Sequence, residues 1–165
     1  MKKLIILLLM VLPLTAFAQE TKIAYVKVAE VFNVMPELKD VDAKLKAERA
    51  AYEKEFKELT DEYQKKFSDY VAQQDSLTEN IKLRRQQDLQ DMNVRIENFQ
   101  QQAEQGMAKL QEELITPVQK KLQEAIKAVA EEKGYTYVID PQALLYVAPN
   151  AIDATPFVKA KLGLK

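Results

Sequence analysis

Gln73-Gln74-Asp75-Ser76, followed by Leu77-Thr78-Glu79-Asn80, is the one breaker cluster in the stretch from 37 to 133, which otherwise holds a single proline, Pro117, and a single glycine, Gly106. Short polar side chains compete for backbone hydrogen bonds and favour turns and caps over helix interiors. The stretch therefore reads as two long helices folded back on each other near Ser76. Pro36 and Pro117 lie about equally far from Ser76, so a hairpin closing there brings them level at its base. Proline suits the first turn of a helix and disturbs an interior. Pro36 is expected to start the outgoing helix, and Pro117 to kink the returning one where it leaves the arm. About forty residues at 1.5 Å each make an arm of roughly 60 Å, too long and thin for a globular core.

The seam of this arm can be followed along the outgoing helix through Leu45, Arg49, Tyr52, Phe56, Leu59, Tyr63, Phe67 and Tyr70. The spacing is a heptad pattern with an eleven-residue step from Phe56 to Phe67, which locally relaxes left-handed supercoiling. The returning helix offers Ile81, Leu89, Met92, Ile96, Phe99, Ala103, Met107 and Leu110. Mirrored about Ser76, Phe56 falls near Ile96, Tyr63 near Leu89 and Leu45 near Met107. A stripe of this kind is first of all coiled-coil core, and a ligand-binding box only second. Arg49, Arg85 and Asp88 interrupt it and glutamines flank it, so the seam holds two helices together without making them rigid. Gly106 stands opposite Ala47 in this register. It reads equally as a point of close helix approach and as a hinge.

Residues 1–18 are read apart from the fold. Lys2-Lys3, an apolar run from 4 to 12, and Ala16-Phe17-Ala18 before Gln19 make a secretory signal peptide, too short for a spanning helix. Removing Lys2 and Lys3 from 24 basic against 25 acidic residues leaves 22 against 25, a formal charge of −3. No global basic field exists to hold nucleic acid. The absence of cysteine excludes a disulfide framework. With no histidine either, the commonest general base, thiol nucleophile and transition-metal ligands are missing, and an enzyme, a metal site or a cofactor is not expected.

The remainder of the chain reads as a small β body into which the arm, residues 36–116, is inserted. Residues 19–35 and 117–165 would form that body, with strands at 22–28, 135–140 and 144–148. Residues 29–32 look like one helical turn. Val118, Leu122, Ala125, Ile126 and Val129 give the end of the returning helix a continuous apolar face. Gly134 sits where a left-handed C-cap is wanted, and Thr155-Pro156 reads as the N-cap and first residue of a last short helix. The class is α+β: a three-stranded body carrying a long antiparallel coiled-coil hairpin. Such a body buries little by itself and leaves open edges, so sheets shared among subunits are the economical solution. Ile23, Tyr25, Val26, Val28, Val138 and Tyr146 are the candidate oligomer-interface residues.

Several body motifs carry a resemblance. Lys22-Ile23-Ala24-Tyr25-Val26, Pro117 with Lys121, and Ala125-Ile126 leading through Val129-Ala130 and Lys133-Gly134-Tyr135 to Val138-Ile139-Asp140 resemble the Skp (OmpH-like) family of periplasmic chaperones. Leu145-Tyr146 ahead of a terminal helix is similar too. The resemblance covers residues 19–165, with specific motifs in the body and compositional ones in the arm. It implies a homotrimer in which a shared β-barrel carries three tentacles around a cavity. That cavity would hold unfolded outer-membrane proteins in the periplasm without ATP. Relatives are often strongly basic, whereas this chain is slightly acidic, and the returning helix offers no clear counterpart to the lipopolysaccharide-binding cluster of one branch.

On this reading Tyr52, Phe56, Tyr63, Phe67, Tyr70, Met92, Phe99 and Met107 are the candidate client-contact residues, with Gly106 and Pro117 as candidate hinges. A rigid coiled-coil spacer or adaptor is the alternative, and it would show no suppression of client aggregation. Binding to a membrane surface would need a basic amphipathic stripe. Lys82, Arg84 and Arg85 near the tip are the one cluster of that kind, and they fit a solvated helix start at least as well.

Overall fold

Proline at position 36 has helical backbone angles, φ −64° and ψ −27°, and caps the outgoing helix. In the computed structural model, which describes residues 21–164, that helix is α2, Glu37–Gln73. Glu37 and Asp40 in its first turn complement the positive end of the helix dipole. A 3-10 turn, Gln74–Ser76, ends it, and the Ser76 hydroxyl donates to the Gln73 carbonyl at 2.8 Å. Thr78 then turns to extended backbone, its carbonyl accepting from the Ile81 and Lys82 amides, and α3, Glu79–Lys133, returns. At 55 residues α3 is about 80 Å long. Its continuous helix passes through both Gly106 and Pro117. Gly134 ends it at φ 67°, in the left-handed conformation that glycine adopts without strain.

The body is built around a parallel sheet. Strand β1, Ile23–Tyr25, lies between β2, Tyr137–Ile139, and β3, Ile152–Asp153. Ile23 pairs with Tyr137, Ala24 with Val138 and with Ile152, and Tyr25 with Ile139 and with Asp153. Parallel pairing requires crossovers, and the crossover between β1 and β2 contains the whole arm. Helix α1, Val28–Asn33, and the terminal helix α4, Thr155–Lys161, cover one face. Ala24, Val26, Val31, Leu122, Val129 and Val158 form the centre of the core between sheet and helices, and Leu38, Leu45 and Leu114 extend it into the base of the arm.

Three sequence expectations are corrected here. The third strand is not 144–148. Asp140 accepts a hydrogen bond from the Gln142 amide at 3.0 Å, and a 3-10 turn, Pro141–Ala143, follows, so the chain leaves the sheet. The edge of β1 is filled by residues 152–153 instead, and Leu145 is left fully exposed. Apolar, β-branched composition favours a strand only where a pairing edge is free. Second, β1 stops before Val28, which opens α1. Third, Thr155 does not cap the last helix with its hydroxyl. Asp153 accepts from the Thr155 amide at 2.9 Å, and the Thr155 hydroxyl accepts from the Lys27 amide at 3.0 Å, tying α4 to the chain after β1.

The helices of the arm pair about a point nearer Thr78 than Ser76. The Gln86 side-chain amide donates to the Tyr70 hydroxyl at 2.9 Å, and Lys121 pairs with Glu37 at the base. The extended residues after the 3-10 turn add length on the return side. In consequence Gly106 faces Tyr52, not Ala47: a methyl group added there would lie 2.5 Å from the Tyr52 hydroxyl oxygen.

Candidate functional site

The seam divides the candidate arm residues by depth. Leu59, Leu89 and Met92 are buried between the helices, so Met92 holds the arm together in the isolated chain. Tyr52, Phe56, Tyr63, Tyr70, Phe99 and Met107 are half-buried, and Phe67 is more exposed. Tyr52 meets Phe99 edge-on across the seam, with ring centroids 6.0 Å apart and planes at 70°. Tyr63 stacks on Phe67 one turn along at 6.2 Å and 11°. Burial, with Glu48 beside it, pushes the Tyr52 hydroxyl above the usual tyrosine value. These rings present one face to the partner helix and one to water.

The sequence reading missed part of the exposed apolar surface. Val71, Ile81, Leu83 and Val94 stand out from the arm, Leu83 at 63% exposure. Of these, Ile81 was expected in the seam; the others lie off the heptad stripe among charged neighbours. That position is itself the signal that could have found them, since an apolar residue off the seam has no helix to pack on. Lys82 bonds to Glu79 at 3.0 Å, and this carboxylate holds the ammonium above the usual lysine range. Arg84 and Arg85 are exposed beside it, with Leu83 between.

In the body, the candidate interface residues separate in the same way. Ile23 and Tyr146 are exposed, Tyr146 at 76%, together with Tyr137, Leu145 and Ile152. Val26 is 1% exposed and belongs to the chain's own core, so it offers no surface to another copy. Val28 and Val138 are half-buried and pack against that core. Tyr25 lies beside Asp153. Burial pushes the Asp153 carboxyl up, but hydrogen bonds from Thr155 and Tyr25 bring it below the usual aspartate value. Among the described residues no further strand pairs with β2 or β3, the two edges of the sheet.

Among the described residues no cluster of His, Cys, Asp or Glu could hold a metal ion, and no helix is long and apolar enough to cross a membrane. Pro117 is exposed, at the level where the arm meets the body.

The architecture is a small parallel sheet that carries a long helical hairpin, with apolar side chains left exposed on both. The chain belongs to the OmpH-like outer membrane protein family, whose profile matches residues 22–162. It is similar to the chaperone protein Skp of Pectobacterium atrosepticum, 29% identical over 134 residues that cover 81% of each chain. The chaperone protein Skp of Vibrio cholerae is 27% identical over 146 residues, covering 84% of this chain and 82% of its own. Among solved structures, a putative outer membrane chaperone (OmpH-like) from Caulobacter crescentus superposes with a TM-score of 0.74. It covers 85% of this chain and 82% of its own at 16% identity, a likeness of fold.

Proposed function

We propose that this chain is a periplasmic holdase, which binds unfolded outer-membrane proteins between its arms and prevents their aggregation without ATP. The observation that carries the reading is the arm: a thin two-helix rod with half-exposed aromatic and aliphatic side chains spread from Tyr52 to Phe99. A holdase must bind many sequences weakly and let them go. Scattered apolar contacts add up by multivalency while each stays reversible. The names of the similar proteins point the same way. Tyr52, Phe56, Tyr63, Phe67, Tyr70, Phe99 and Met107 are the proposed client contacts, joined by Val71, Leu83 and Val94. Export rests on the signal-peptide reading of residues 1–18, which lie outside the described residues.

The functional form in this proposal is a homotrimer. Ile23, Tyr137, Leu145, Tyr146 and Ile152 would be covered where three sheets close into one barrel, and all arms would then point the same way around a cavity. The test is light scattering of a urea-unfolded outer-membrane β-barrel diluted with and without the mature protein. Scattering should fall when the protein is present and stay low without nucleotide. Equal scattering in both samples would defeat the holdase reading and favour a coiled-coil spacer.

A further inference from the structure

Charge is unevenly distributed along the arm. In its middle, residues 48–64 and 88–108, ten carboxylates stand against four cations, a net charge of −6. The tip, residues 65–87, carries five cations against three carboxylates, a net charge of +2. Two of the four cations in the middle are already paired with carboxylates of their own helix. Lys54 and Lys57 lie 3.8 Å from Glu58 and 2.6 Å from Asp61 on their own helix, and Glu62 is held below its usual value chiefly by Lys66, 2.8 Å away, with a smaller contribution from Arg95. Glu53, Glu55, Glu97 and Glu104 are exposed and make no ion pair among the described residues.

Within this anionic belt an open groove of about 410 Å³ lies along the two helices, lined by Leu59, Val94 and Phe99 together with Glu55, Asp91 and Arg95. Val94 is half exposed in it. Apolar side chains beside carboxylates suit lysine and arginine, which lay an aliphatic stem on apolar surface and keep the charged head at an acidic neighbour. An aspartate- or glutamate-rich segment would meet like charge in the same place.

We propose that the middle of the arm selects unfolded segments in which basic side chains alternate with apolar ones, so that this chain favours cationic clients over anionic ones of equal hydropathy. The inference rests on the holdase reading and adds the chemistry of the client to it. Complementary charge acts on encounter and on the choice of partner more than on raw affinity, and salt screens it.

The test uses the mature protein and one urea-unfolded outer-membrane β-barrel in two chemical forms, with its carboxylates amidated by ethylenediamine or its lysines succinylated. At low salt the amidated, basic form should bind about tenfold tighter than the succinylated form, and the difference should shrink as salt rises toward about 0.5 M. The quadruple variant Glu53→Lys, Glu55→Lys, Glu97→Lys, Glu104→Lys, checked for native helicity, should lose or reverse the preference. Binding of both forms with equal affinity, or tighter binding of the acidic form, would overturn the inference and leave the holdase reading standing. Binding of neither form would overturn both.

Discussion

The Tyr52 hydroxyl lies close against the backbone of Gly106, and the sign of one substitution follows from it. In an open helix, replacing glycine by alanine stabilises by about 1 kcal/mol. Here the new methyl would lie 2.5 Å from the Tyr52 hydroxyl oxygen, while the ring behind it leans on Phe99. Gly106→Ala is therefore expected to lower the melting temperature. Tyr52→Phe removes the oxygen and leaves a ring carbon at 3.5 Å, an ordinary contact. In that background the same alanine should raise the melting temperature. Thermal denaturation of the four proteins gives the answer, and stabilisation by alanine in both backgrounds would mean that Tyr52 simply swings aside. Stabilisation by alanine only in the Tyr52→Phe background would make Gly106 a packing device and not a hinge, two readings that the sequence alone leaves equally open.

At the scale of the element, the arm is an insertion whose packing on the body ends near Leu45 and Leu114. Replacing residues 49–107 by a short turn should leave a body with native strand and helix signals by circular dichroism, and should abolish protection of an unfolded barrel in the scattering assay. Full protection by the shortened protein would move client binding to the body. The arm was legible in the sequence because its cause is local: a long run without breakers, a heptad stripe, and one polar turn around Asp75 and Ser76. The register was less legible, since turn geometry at Leu77 and Thr78 shifts it by a few residues and periodicity cannot count them. The small strands were the least legible. Residues 144–148 have strand composition, but which segment fills the edge of β1 depends on the turn at Asp140 and Pro141, a tertiary matter. The exposed apolar side chains of the arm escaped for a related reason, because the stripe draws attention to residues that face the partner helix.

For the whole molecule, burial in the single chain separates folding from assembly. Val26 sits in the core of one chain, so Val26→Asp should unfold it, at a cost of more than about 3 kcal/mol for an unpaired buried charge. Tyr146→Asp, on an exposed side chain, should leave the protomer folded and, in the proposed trimer, shift sedimentation equilibrium toward monomer. An unchanged trimer in that variant would place the interface elsewhere. Acid should loosen the base of the arm, where Glu37 meets Lys121, and the contact of α1 with α4, where Glu30 meets Lys159. The hydrogen bond from Lys121 holds the Glu37 carboxyl below its ordinary value near 4.5, and the hydrogen bond from Lys159 does the same for Glu30. A depressed carboxyl contributes stability that is complete above its unfolded value and is lost as pH falls through its folded one. Melting temperature should therefore be flat above about pH 5.5 and decline below about pH 4.5, with a shallower decline in Glu37→Gln.

The insertion of the arm between two neighbouring strands also sets an order of events. Ile23 and Tyr137, adjacent in the sheet, stand more than a hundred residues apart along the chain. Drawing such distant points together from a random coil costs about 4 kcal/mol in loop-closure entropy. A hairpin that zips from its turn by local contacts would bring Glu37 beside Lys121 first, leaving the strands a short remaining gap to cross. The same rod that reaches out from the finished body would then serve, while the chain is still folding, as the splint that sets its sheet.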